Sequence, residues 1–175
     1  MLAGKCNEPA EKVFFDAEIK PRLGPRVEYI GEADAASKRP LLAGARCLVF
    51  PLQWEEPFGM VMIEAMACGT PVVALRRGSV PEVVEHGVSG LIVDDFTEFP
   101  AALHAASALD PVACRRHALA HFDLSVMADG YEAVYAGLTQ SRLVLPDADR
   151  LVVDDFAATG SGALIRGDRG RAPLG

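Results

Sequence analysis

The chain has 175 residues, half of them apolar and 23% charged, with a net charge of −7. That is long enough for one domain with a real core and too short for two ordinary ones. The negative balance argues against a nucleic-acid or anionic-membrane surface, since both call for a basic patch. No apolar run reaches bilayer length and no secretory signal opens the chain. Cys6, Cys47, Cys68 and Cys114 are scattered without C-x-x-C spacing. Cys47 and Cys68 fall in expected core elements, so reduced, buried thiols in a cytoplasmic protein are the reading.

Taken in order, the elements alternate. Met1 to Lys5 reads as the end of a strand, and Glu8 to Ile19 as a helix with Val13, Phe14, Ala17 and Ile19 as its apolar stripe, stopped by Pro21. Val27 to Ile30 is a short strand ending at Gly31. Ser37 to Ala45 is a helix in which Pro40 is tolerable only in the first turn. Cys47 to Phe50 and Val72 to Leu75 are buried strands, and Met60 to Cys68 between them is a helix closed by Gly69 and Pro71. Ser79-Val80-Pro81-Glu82 has the form of a capping box, with Gly87 ending that helix. Gly90 to Val93 is the next strand. Three helices follow: Glu98 to Leu109, Pro111 to Ala120 behind Asp110 as cap, and Ser125 to Leu138. Strands alternating with helices mean an α/β domain, a Rossmann-like parallel sheet with helices on both faces. This domain spans residues 1–140. The short apolar islands and Gly/Arg-rich remainder of 141–175 read as a poorly ordered or unrelated tail, with docking as an edge strand the alternative.

The stretch from Pro51 to Pro71 carries the chemistry. Its helix is apolar all round, so it is expected to be buried on every face, and Glu64 is its only charge. A carboxylate so placed needs a partner. The helix starts just after Gly59, where unsatisfied N–H groups and the helix dipole favour a phosphate or polar ligand. Two readings stand side by side: a nucleotide site at the strand C-termini of an open sheet, or a carboxylate satisfied by a core Arg or backbone amides.

Glu56-Pro57-Phe58-Gly59, four residues, then Glu64-Ala65-Met66-Ala67-Cys68-Gly69-Thr70-Pro71-Val72-Val73-Ala74 resembles the signature of the group 1 retaining glycosyltransferases. Gly78-Ser79-Val80-Pro81-Glu82-Val83-Val84 and Gly87 to Val93 extend the match. The resemblance covers roughly Met1 to Leu138 and implies the C-terminal, donor-binding half of a GT-B fold. It implies a hexose transferred with retention from a nucleotide diphosphate sugar, UDP-linked by expectation, to an acceptor hydroxyl of a glycan, lipid or small molecule. Glu64 would accept hydrogen bonds from the ribose hydroxyls. Amides at Phe58, Gly59 and Met60 would hold the donor sugar, and the amide at Val61 would sit against the diphosphate. Glu56 would be the catalytic carboxylate beside the anomeric centre, and Tyr29 and Ile30 would border the nucleobase. No metal and no other cofactor is implied, so amides and cationic side chains would stabilise the leaving diphosphate.

The family's upstream Arg and Lys, which clamp the diphosphate, have no counterpart here, and Lys5 is no substitute. The resemblance thus implies a missing N-terminal half and a chain inactive alone, cytoplasmic or peripheral at the inner membrane face in its full-length form. The alternative function is a nucleotide-sugar-binding fragment or pseudoenzyme module completed by a partner. His117 and His121, four apart on one helix, have a metal-binding spacing, but a solvated face is the plainer reading. Trp54 reads as a loop anchor against the core, with stacking on a sugar as the alternative.

Overall fold

The computed structural model describes residues 1–140; the expectations for 141–175 fall outside them. The chain divides into two compact units, Met1–Tyr131 and the part from Glu132 onward. The boundary falls inside the last helix, whose end is the described part of the second unit.

Three strands form the sheet: β1 (Leu48–Phe50), β2 (Val72–Leu75) and β3 (Gly90–Val93). They pair in that order, all parallel, with Leu48 opposite Val72 and Val73 opposite Leu91. Every residue of β2 is buried, as a central strand covered on both faces requires. Its side chains alternate between two cores. Val72 and Ala74 join Phe50 and Ile92 under α3 (Met60–Ala67), α4 (Val80–Val83) and α6 (Pro111–Phe122). Val73, Leu75 and Val93 pack on the other face against Phe99 and Ala102 of α5 (Phe99–Ala105) and against Ala106. The α/β class with helices on both faces is the observed architecture.

The N-terminal elements depart from expectation. Met1 to Lys5 and Val27 to Ile30 form no strands in the sheet; a single parallel bridge joins Leu2 to Tyr29. The helix expected to Ile19 is α-helical only over α1 (Pro9–Phe14), then widens to a π turn over Phe15–Ile19 and tightens to a 3-10 turn over Lys20–Arg22. Its stripe is not a core stripe, since Val13 and Phe14 are exposed. α2 spans Ala35–Ala43, capped by Asp34 accepting the Ser37 N–H at 2.8 Å. Pro40 sits inside this helix and not in its first turn. Anchorage of Leu42 in the core, and the Thr70 hydroxyl donating to the Leu42 carbonyl at 2.6 Å, hold the helix despite the lost N–H.

Around the central helix the termini follow their chemistry. Gly69 is left-handed, with φ 81°. Its N–H bonds the Met66 carbonyl and the Thr70 N–H bonds Ala65, which is a Schellman closure. The box at Ser79 does not form. Ser79 already has helical φ and ψ, its hydroxyl is buried without a hydrogen-bond partner among the described residues, and its N–H bonds the Glu56 carbonyl. Gly87 lies in the turn before β3, donating to the Gly90 carbonyl, so it does not cap α4. Asp110 does cap α6, accepting the Val112 N–H. α7 runs over Leu124–Gln140. No described helix is long and apolar enough to cross a membrane.

Candidate functional site

The candidate site lies beyond the carboxyl ends of β1 and β2, where open α/β sheets bind ligands. From Phe50 the chain enters a loop that turns at Gly59 and becomes α3. Gly59 is buried with φ 74°, and a Cβ there would stand 2.5 Å from the Met62 methyl carbon. Only glycine gives this turn without strain. It brings the first amides of α3, at Met60 and Val61, to a helix start where no intrahelical carbonyl is available to them.

Glu56 closes the turn. Its Oε1 accepts the Gly59 N–H at 3.0 Å and reaches the Phe58 nitrogen at 3.5 Å. The loop is braced from the turn that follows β2: the Ser79 N–H donates to the Glu56 carbonyl at 2.9 Å and the Gly78 N–H to Glu55 Oε2 at 2.5 Å. The Phe58 ring leans edge-on against Phe122 at the end of α6, with centroids 6.1 Å apart.

Glu64 stands one turn along α3. Its side chain is 31% exposed and Oε1 meets Lys38 Nζ of α2 at 2.5 Å. The expected all-round burial of the helix is therefore wrong. Met62, Ala65 and Met66 are buried, Met60 is 59% exposed, and the face carrying Glu64 opens toward α2. The carboxylate does have a partner, and it is a lysine in place of the core arginine or amides expected. Lys38 was not legible as a site residue, because no local spacing rule links positions 26 apart. Gly78, held at φ 49°, and Ser79 stood in the matched motif and the expected capping box, but their contacts to Glu55 and Glu56 are long-range and no local pattern expresses them.

Tyr29 and Ile30, expected at the nucleobase, make their contacts with the N-terminal segment, the Ile30 N–H donating to the Leu2 carbonyl at 3.0 Å. Tyr29 donates its hydroxyl to the Gly4 carbonyl and packs against Phe15 in a groove of about 440 Å³ lined also by Lys5, Cys6 and Phe14. Among the described residues no hydrogen bond, ion pair or ring contact joins Tyr29 or Ile30 to Glu56 or Glu64. Trp54 is 57% exposed, so it does not anchor the loop in the core. The His117 side chain is only 10% exposed, its Nε2 3.1 Å from the Val83 carbonyl and its Nδ1 3.1 Å from Glu85, so it is not on a solvated face. Its ring lies tilted against His121, with centroids 4.6 Å apart, and edge-on to Phe122 at 5.9 Å. No group of three or more His, Cys, Asp or Glu among the described residues could hold a metal ion.

Comparison with known proteins shows the family. The family model described as "Glycosyl transferases group 1" matches residues 1–108. The D-inositol 3-phosphate glycosyltransferase of Mycolicibacterium vanbaalenii is 40% identical over 137 residues, 77% of this chain and 30% of that protein. Spore coat protein SA of Bacillus subtilis is 50% identical over 86 residues, 49% of this chain and 19% of its own. The chain thus spans less than a third of these relatives. Among solved structures, AviGT4, a glycosyltransferase of avilamycin A biosynthesis, aligns with TM-score 0.65 at 31% identity over 80% of this chain and 43% of its own. Anabaena Alr3699/HepE in complex with UDP and glucose aligns with TM-score 0.64 at 26% identity, over 77% of this chain and 40% of its own. Such neighbours are GT-B glycosyltransferases. This chain belongs to the group 1 glycosyl transferases.

Proposed function

We propose that the Glu56–Glu64 loop and helix bind the donor of a retaining hexosyltransferase, a UDP-linked sugar whose hexose passes to an acceptor hydroxyl. The observation that carries the reading is the shared placement of two carboxylates around one helix start, with Glu56 on the Gly59 amide and Glu64 one turn further along α3. In this reading Glu64 accepts the ribose hydroxyls. The amides of Phe58, Gly59 and Met60 take hydroxyls of the sugar, and the Val61 amide faces the diphosphate. A sugar hydroxyl replaces the Gly59 N–H as partner of Glu56, or shares it, which puts that carboxylate beside the anomeric carbon. The acceptor oxygen attacks the face from which the diphosphate leaves. The C1–O bond to phosphate breaks as the new glycosidic bond forms, and the acceptor proton goes to the departing phosphate oxygen. Helix-start amides stabilise the growing negative charge. No step needs a metal.

Support comes from family membership and from the UDP and glucose held by Anabaena Alr3699/HepE. A second reading is a nucleotide-sugar-binding module that transfers nothing without a partner half. Calorimetric titration with UDP-glucose, GDP-mannose and ADP-glucose tests the donor site. Release of free hexose from the bound donor then separates the two readings. Hydrolysis lost in Glu56→Gln supports transfer chemistry; tight binding without hydrolysis supports the module. A folded chain that binds none of the three contradicts both.

A further inference from the structure

We propose that Lys38 is a second recognition residue of the Glu64 site, and that the pair reads a vicinal diol. The proposal rests on the reading above that Glu64 faces the ribose of a nucleotide. Lys38 Nζ stands 2.5 Å from Glu64 Oε1, with the two side chains 36% and 31% exposed. An ion pair partly open to water typically contributes on the order of 1 kcal/mol to folding. The fold therefore has little need of it. Its position, however, is well fixed. Lys38 opens the second turn of α2, its own N–H on the Asp34 carbonyl at 2.8 Å. The helix is tied at one end by the Asp34 cap and at the other by Leu42 in the core and Thr70 on the Leu42 carbonyl.

Only Oε1 of Glu64 is engaged; Oε2 accepts no hydrogen bond from the described residues. An ammonium carries three donors and a carboxylate none. The pair therefore offers, side by side, a free acceptor oxygen and spare N–H donors. Two adjacent hydroxyls match that arrangement: each donates to a carboxylate oxygen, and one also accepts from the ammonium. A lone Glu64 could take the donors of a diol and leave its lone pairs to water. With Lys38 both capacities are met, and the lysine also holds the carboxylate in one orientation before the ligand arrives. The ligand class is a ribonucleoside diphosphate, distinguished from its dideoxy form.

The test uses the full chain and four ligands, UDP and GDP with their 2′,3′-dideoxy forms, titrated into wild type, Lys38→Met, Lys38→Arg and Glu64→Gln. Wild type is expected to favour a ribonucleotide over its dideoxy partner by tenfold or more, the scale of hydrogen bonds to charged groups. Lys38→Met should reduce that preference by weakening only the ribonucleotide, and Lys38→Arg should restore part of it. The double variant Lys38→Met/Glu64→Gln should be no worse than the weaker single one. Loss of affinity equal for both sugars, or no loss at all, overturns the role of Lys38 while leaving the donor site standing. If wild type binds neither nucleotide, the donor-site reading fails and this inference with it. Thermal melting of Lys38→Met within about 2 °C of wild type is expected, and a larger drop would make the pair structural.

Discussion

Gly78 and Glu56 touch through their backbones. A Cβ on Gly78 would stand 2.4 Å from the Glu56 carbonyl oxygen and 2.5 Å from its nitrogen, and the residue also holds φ 49°. Side chains flex away from such contacts, but peptide groups do not. The loop after β2 is therefore the bed on which the Glu56 peptide lies.

Gly78→Ala should push the Glu56 peptide off Ser79 and strain its own φ, at a cost of about 1–3 kcal/mol. Because Glu56 is assigned to the sugar and Glu64 to the ribose, the variant should weaken UDP-glucose more than UDP. Titration with both ligands checks this. Equal affinities for wild type and variant would show that the contact does not position Glu56.

The scaffold beneath the site depends on Met66, which is fully buried in the core shared by α3, the sheet and α6. Met66→Ala leaves a cavity and should destabilise by about 2–5 kcal/mol. Chemical denaturation reads the change directly. A loss under about 1 kcal/mol would mean that α3 is less firmly packed than its burial indicates.

Cys114 gives a pH signature of the same core. It is fully buried, its Sγ 3.6 Å from the Ser89 carbonyl, and burial pushes the thiol from 9.0 up to about 11. Burial disfavours the thiolate, so the unfolded chain releases this proton first as pH rises. The contribution of the group to stability is intact below pH 9.0 and is lost progressively as pH rises toward about 11. At neutral pH Cys114 should resist alkylation in the folded chain while Cys6 reacts. Mass-spectrometric mapping of the labelled cysteines, before and after denaturation, checks both statements. Equal labelling of Cys6 and Cys114 in the native chain would contradict the packing.

How much of this was legible depended on the range of the interactions. The strands at 48–50, 72–75 and 90–93 were visible as apolar runs bounded by turn residues, and the Gly69 and Asp110 caps as local chemistry. Glu64 stood out as the lone charge of an apolar helix and Gly59 as the residue before its start, whereas Glu56 was singled out only by the family resemblance. What failed was what nearby sequence does not determine. Ser79 looked like a cap, but its N–H goes to a carbonyl 23 residues back. His117 looked like part of a charged surface, yet it turns under Phe122 and against Val83. The partner of Glu64 comes from α2, a long-range choice that periodicity cannot express.

The central claim is that Glu64 holds the nucleotide of the donor. It is tested most directly by melting and titrating the chain with UDP beside Glu64→Ala. A ligand that binds only the folded state stabilises it by about 2.7 kcal/mol at a hundredfold excess over its dissociation constant. The account predicts a raised melting temperature for wild type with UDP. It predicts little or no rise for Glu64→Ala, whose melting without ligand should stay close to wild type because the ion pair is only partly buried. A UDP-induced rise of the same size in both proteins would contradict it.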